Sequence, residues 1–308
     1  MTAPSGARAD AGSAATPRGT GAIHDIGYRR YPGERLGRAY AARSLFVDGV
    51  RTVFAVGRTG RARLAPLLLG GAAIVPAAVQ AAASAYVGDV ANLVTYSNYT
   101  VSLSFIFALF CASQAPELVS SDLRTRTLVL YLSRALHRAD YVAARVLALV
   151  AAVFVLTVAP LLVLLAGRVF ASRTPWSAFT AEAPALLPIV AFSLVAALLM
   201  GSVSVAIASL TTRRSLASAA VLGFFIVTAG VTQGLRDAFE GGAWDRLVLL
   251  NPFLVLGGVA NWLFDAEPRY FESLRGVDLP GWTFGAAALA LIALAAAVLG
   301  VRYGRIDA

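Results

Sequence analysis

Two histidines, His24 and His137, one cysteine, Cys111, and no lysine among 26 basic residues bound the chemistry open to this chain of 308 residues. A GxxxxGK[ST] phosphate loop needs its lysine, so nucleotide hydrolysis of that kind is excluded, as is a Schiff-base lysine. Two distant histidines cannot build an HExxH site or a histidine-rich metal cluster, and no metal site is expected. A single cysteine forms no disulfide within the chain. Inside an apolar run, Cys111 reads as a small buried hydrophobe. The serines of GSVS, residues 201 to 204, could serve a hydrolase only beside a base. No histidine falls in any apolar run to supply one, and no G-x-S-x-G elbow occurs. An enzyme is therefore not expected.

The remaining reactive-looking residues are concentrated in PELVSSDLRTRTLVLYLSRALHRADY, residues 116 to 141. It carries four arginines, three acids and two tyrosines between two long uncharged runs. Pro116 suits the first turn of a new helix and disfavours continuation of the preceding one. Glu117 then falls in that first turn, where negative charge suits the helix dipole. Asp122 and Arg126 are four apart and can pair on one helical face, with Arg134 and Arg138 four apart beyond them. Asp140 stands where it can cap the next helix, and Tyr141 at the membrane interface. The segment reads as a surface helix, an apolar bridge (LVLYL, 128 to 132) and a re-entry helix. Such chemistry is recognition by a partner, not catalysis.

The elements around it are membrane spans. Hydrophobic residues make up 58% and charged residues 14% of the chain, against about 25% charged in a soluble domain. Six uncharged runs have the roughly 20 residues that cross a bilayer core of about 30 Å. They cover residues 64–86, 91–115, 146–167, 183–210, 215–235 and 281–301. The reading is an all-α membrane protein with six transmembrane helices. A seventh run, 247 to 264, holds Asn251, Pro252, Gly257 and Gly258. Those residues suit broken or re-entrant helices shielded by protein better than a lipid-facing span.

Residues 1 to 27 are rich in Ala, Gly, Ser, Thr and Pro and are expected to form a disordered tail with no signal-peptide core. Residues 28 to 63 contain an amphipathic helix, the connecting segment before a six-helix domain of residues 64 to 308. Leu36, Tyr40, Val47, Val50 and Phe54 keep helical spacing, with Ala39, Phe46 and Val53 beside them. Arg38, Asp48, Arg51 and Thr52 lie off that stripe, Arg43 intrudes on it and Leu45 lies opposite. A basic amphipathic helix just before a span is expected to lie in the interface. Arginines collect before the first span, in 116 to 141, at Arg213 and Arg214, and at Arg302 and Arg305. By the positive-inside rule these segments, and both termini, face the cytoplasm. The acid-rich segment 236 to 280 then faces outward.

No ionisable residue stands mid-span, so no proton or ion relay is visible. Energy for any transport would come from another chain. Gly201, Ser202, Ser204, Ala208 and Ser209 let the fourth span pack closely, within this chain rather than against a partner. Tyr96, Asn98, Tyr99 and Ser102 are scattered polar groups in an otherwise apolar lining. The net charge of +9 carries no motif for nucleic acid, which is not expected as a partner.

The pattern D-L-R-T-R-T-L-V-L-Y-L-S-R-x-x-x-R-x-D-Y, Asp122 to Tyr141, resembles the membrane permease subunits of type-2 ABC exporters of the actinobacterial kind. The segment 37 to 63 (GRAY, SL, GVR, GR, AR) is similar to their cytoplasmic connecting helix. The LNPF at 250 to 253 fits as well, so the likeness spans about residues 30 to 305. One departure is Ser133-Arg134-Ala135 where similar proteins often read SRP, which leaves the turn less rigid. The resemblance implies a coupling helix over about 116 to 134, seated in a groove of a separate ATPase that carries ATP and Mg. Its contact residues would be Glu117, Asp122, Leu123, Arg124, Arg126, Leu130, Tyr131 and Arg134. Arg38, Tyr40, Phe46, Arg51 and Phe54 would belong to the interfacial helix, and 247 to 264 to external re-entrant helices. Two permeases and two ATPases would complete the assembly. The alternative is a membrane anchor that docks a cytosolic partner through the same segment without transport.

Overall fold

Apolar side chains gain little by leaving lipid for another helix, so a bundle in a bilayer is held by close packing and interhelical hydrogen bonds. Both devices are visible in a computed structural model of the chain. It describes residues 33, 36–57, 60–87, 95–125, 136–239, 242–266, 274, 277 and 279–305. Helix α1 spans Arg38–Val53, α2 Gly60–Val87, α3 Tyr96–Thr125 and α4 Arg138–Ala171. A short α5, Pro175–Glu182, leads through a 3-10 turn into α6, Leu186–Ala208. Helix α7 is Arg214–Ala238, α8 Pro252–Leu263 and α9 Gly281–Gly304. Six helical stretches are long and apolar enough to cross a membrane: α2, α3, α4, α5 continuing into α6, α7 and α9. The six spans expected from the sequence are therefore present, and no strand occurs among the described residues.

Spans α3, α4 and α6 form the centre, and α2, α7 and α9 the periphery, with most of their surface outside the protein. Phe107, Phe110, Leu149, Leu161, Phe192 and Met200 are fully buried between the central helices. The outer faces carry Leu67, Leu68 and Val79 on α2, Ile226 and Val231 on α7, and Leu289 and Leu294 on α9. Apolar side chains so placed suit lipid. The small residues of α6 work as expected. A Cβ on Gly201 would come within 2.9 Å of Val150 Cγ2 on α4. Ser120 Oγ of α3 donates to the Ala208 carbonyl at 3.2 Å. Ser202, Ser204, Ala208 and Ser209 are all buried within the chain, and Cys111 is free and buried.

Helix α8 has 12 residues, about 18 Å of rise, too short for a span. The chain leaves α7 at Ala238 and passes through a 3-10 segment, Gly242–Leu250. At the depth of Phe225 the ring of Phe253 lies 5.5 Å away. It then climbs back to Phe264, which stacks on Tyr96 at the start of α3 at 5.6 Å. Asn251 is the N-cap, its side chain accepting from the Phe253 N–H at 2.9 Å, and Pro252 follows at the first helical position. Both choices satisfy or remove orphan donors of a buried helix start. Residues 251 to 260 are buried. Gly257 is among them, and Gly258 has no room for a side chain because the Phe284 ring of α9 lies against it.

One expectation is corrected. Pro116 does not start a new helix: α3 runs unbroken from Tyr96 to Thr125 with Pro116 inside it. Glu117 is accordingly well inside a helix, not in a first turn. Proline removes one backbone donor, and an intramembrane helix tolerates that where neighbouring groups compensate. Pro116 is buried, and the rest of its turn is sheathed by neighbouring helices. Helix α1 docks through a face that its apolar stripe does not mark. The stripe of Tyr40, Val47 and Phe54 faces outward, and Leu45, Gly49 and Val53 form the packed face. A Cβ on Gly49 would stand 2.7 Å from Ala148 Cβ of α4, so the missing side chain is what lets α1 dock. Helix α1 ends at a turn where Ala55 and Gly57 take φ of 51° and 82°; glycine enters that left-handed region freely and alanine does not.

Candidate functional site

The end of α3 at Thr125 and the start of α4 at Arg138 are joined by residues 126 to 135, outside the described residues. Between the last turns of α3 and the first turns of α4 lies a polar joint. Arg145, one turn above Tyr141 on α4, donates to Asp122 of α3 at 2.7 Å and to Asp48 of α1 at 3.3 Å. Tyr141 donates its hydroxyl to the same Asp122 oxygen at 2.8 Å. The guanidinium also lies 5.7 Å from the Tyr141 ring centroid, and the Tyr303 ring of α9 stands 5.7 Å from Tyr141. One arginine thus fastens α1, α3 and α4 together. Its side chain is 5% exposed, Asp122 13% and Asp48 61%. Breaking a buried pair by removing one partner costs about 3–5 kcal/mol, because the other charge is left unpaired. The Asp122 bond is therefore the firm one and the Asp48 bond, open to water, the exchangeable one.

Around the joint, further contacts lock the same end of the bundle. Arg38 at the start of α1 makes two bonds to Asp140, at 2.6 and 2.8 Å. That hydrogen bond holds the Arg38 guanidinium above its ordinary value, so its charge is fixed at any working pH. The N-cap is His137 and not Asp140 as expected; Asp140, at the third helical position, accepts from the His137 N–H at 3.0 Å, the reciprocal half of a capping box. Glu117 pairs with Arg214 of α7 at 2.7 Å. Arg302 of α9 donates to the Ser209 carbonyl at the end of α6 at 3.3 Å.

The sequence-predicted residues divide accordingly. Glu117 and Asp122 are in ion pairs, Leu123 packs against the core, and Arg124 is exposed. Arg126, Leu130, Tyr131 and Arg134 lie outside the described residues, and so does the Asp122–Arg126 pairing. Asp122 instead takes Arg145. On α1, Arg38 pairs with Asp140, Phe46 packs against the core, and Tyr40, Arg51 and Phe54 are exposed. Asn251, Pro252, Gly257 and Gly258 come together in α8, far from the joint along α3.

A second polar cluster sits at the other end of α3. Tyr96 donates to Glu182 of α5 at 2.8 Å, and Arg168 of α4 pairs with Glu182 at 3.5 Å while lying 4.3 Å over the Tyr96 ring. Beside it a cavity of about 500 Å³ opens between Tyr96, Arg168, Pro188, Phe264 and Asp265. Tyr96, Asn98 and Tyr99 are buried within the bundle, and Ser102 is exposed. Neither Arg145 nor Arg168 was singled out from the sequence. Each stands one residue outside the uncharged run 146–167, where an arginine looks like a boundary marker. The available signal was the four-residue spacing of Tyr141 and Arg145, which places both on one face.

A family model described as ABC-2 family transporter protein matches residues 64–308. A comparison with curated proteins returns no match. The matched region covers the six membrane-length helices, apart from the first residues of α2, and the short buried helix α8, while α1 precedes it. The chain therefore belongs to the ABC-2 family of transporter proteins, as a multi-pass membrane permease subunit of an ABC transporter.

Proposed function

We propose that this permease is half of an ATP-driven exporter and takes its energy from a separate ATPase through the segment 116 to 141, on the cytoplasmic side. The observation that carries the reading is the Arg145 joint. It stands between the last turns of α3 and the first turns of α4, the helices that flank residues 126 to 135 in sequence, and ties both and α1 to one guanidinium. A push on that segment would move three helices together instead of bending one.

Helix α3 supports the same reading. Its 30 residues rise about 45 Å, more than the roughly 30 Å hydrocarbon core. Its last turns therefore extend beyond the membrane and present Arg124 to a partner. ATP and Mg would be held by that partner. A second permease, identical or related, would complete the pathway, as the likeness to exporter permeases implies. Export rather than import rests on the likeness to exporter permeases.

The test is a double charge reversal, Arg124→Glu with Arg126→Glu. Membrane level should match wild type while association with the ATPase, or export in cells, is lost. Wild-type assembly and export in that variant would sink the reading.

A further inference from the structure

On the outer surface, α4 and α9 diverge over α6 and leave a groove of about 520 Å³. Its walls include Val142 and Val146 of α4, and Ile292 of α9. Small residues cut it to its depth, chiefly Ala143 and Gly300. From Arg138 to Val146 the groove runs along α4 for about 12 Å. Ser202 on its floor gives its hydroxyl to the Leu198 carbonyl at 2.6 Å and so asks nothing of an occupant. Water gains no hydrogen bonds in a channel lined this way.

The groove is polar at one end only. There Arg138 donates Nη1 to the Gly304 carbonyl at 3.0 Å, which leaves donors of its fork over. Among the described residues no carboxylate pairs with Arg138. Its neighbour on α4, Asp140, is taken by both nitrogens of Arg38, and the acid on α3, Asp122, by Arg145 and Tyr141. Arg305 follows Gly304 directly and is exposed. An apolar slot along a membrane helix, closed at its end by uncompensated arginine, has the chemistry of one amphiphile: acyl chain inside, phosphate at the end.

We infer that this groove holds a membrane phospholipid with an anionic headgroup, its phosphate on Arg138 and an acyl chain along Val142, Val146 and Ile292. The inference needs only that the chain spans a membrane, and stands apart from how the permease is powered. A retained lipid there adds to the contacts that already join α4 and α9 at Arg138–Gly304 and Tyr141–Tyr303.

The test reconstitutes the full chain into phosphatidylcholine vesicles doped with a phosphatidylglycerol carrying a photoreactive acyl chain. Labelled peptides are then mapped by mass spectrometry. Label should concentrate on residues 138 to 146 and 292 to 304 and be displaced by unlabelled phosphatidylglycerol but not by phosphatidylcholine. A Cβ on Gly300 meets nothing within 4 Å, so Gly300→Leu fills the slot without touching the core. Gly300→Leu and Arg138→Gln should each cut the labelling about fivefold. Leu294→Ala, exposed on α9 outside the groove, should leave it unchanged. Even labelling of all lipid-facing helices, equal competition by phosphatidylcholine, or full labelling of either groove variant would overturn the inference. So would a disulfide-linked homodimer of Ala296→Cys, which would put a second copy of the chain over the groove. The buried Cys111 leaves that readout clean.

Discussion

At the Thr125 end of α3 the bundle is closed by Arg145, whose side chain is 5% exposed and shared between two carboxylates. At the Tyr96 end it is closed by Arg168, 20% exposed, with one carboxylate at 3.5 Å and a tyrosine ring beneath. The first end is ringed with arginine: Arg38, Arg124, Arg138, Arg213, Arg214, Arg302 and Arg305. The second is ringed with exposed aromatics, Phe170, Trp176, Trp262 and Trp282. Arginine-rich margins face the cytoplasm and tryptophan marks interfaces, so the contrast supports a cytoplasmic joint and an outer rim. It also separates two mechanical parts. The joint binds α3 to α4 firmly through the buried Asp122 bond and holds α1 by the exchangeable Asp48 bond, whereas the rim pairs the more exposed Arg168 with Glu182 and opens onto a cavity.

Removing the joint's arginine should have the largest effect. Arg145→Leu leaves Asp122 buried without its partner and should cost about 3–5 kcal/mol in denaturant unfolding in micelles. Combining it with Asp122→Leu should recover most of that loss, since a buried pair replaced by apolar residues is often neutral. A double variant as unstable as the single would mean that the pair is not the source of the cost. Next comes docking of α1. Gly49→Val places carbon where Ala148 already stands and should cost about 1–3 kcal/mol by overpacking. Limited proteolysis should then cut between α1 and α2 faster than in wild type. At the rim, Arg168→Gln should cost no more than about 1 kcal/mol, because water screens the pair. An Arg168 variant as damaging as Arg145→Leu would erase the contrast between the ends. The smallest effect is expected at Arg38→Ala: an unchanged melting temperature, with only the α1 start loosened in hydrogen exchange.

Six spans were readable because burial in lipid empties a run of charge, and that signal survives without any knowledge of contacts. That 247 to 264 is not a seventh lipid-facing span was readable for a similar reason, since Asn251, Pro252 and the Gly257–Gly258 pair are costly against lipid, and α8 is short and buried. What failed depended on neighbours. Pro116 looks like a helix start, and only the packing around α3 lets it sit mid-helix. The docking face of α1 was not legible either, because it is built on Gly49, which has no side chain to register in a hydrophobic pattern. Arg145 flanked an apolar run and resembled every other boundary arginine. Its partners, Asp48 and Asp122, are 97 and 23 residues away, and spacing alone does not reveal them.

The central claim is that a separate ATPase reads the arginine-ringed end. Single cysteines at the two ends test it in membranes, because the only native cysteine is buried. Arg124→Cys, on the exposed end of α3, should cross-link to an ABC-type ATPase subunit identified by mass spectrometry. Trp176→Cys, 77% exposed at the opposite rim, should not. A cross-link to the ATPase from Trp176→Cys and none from Arg124→Cys would contradict the account.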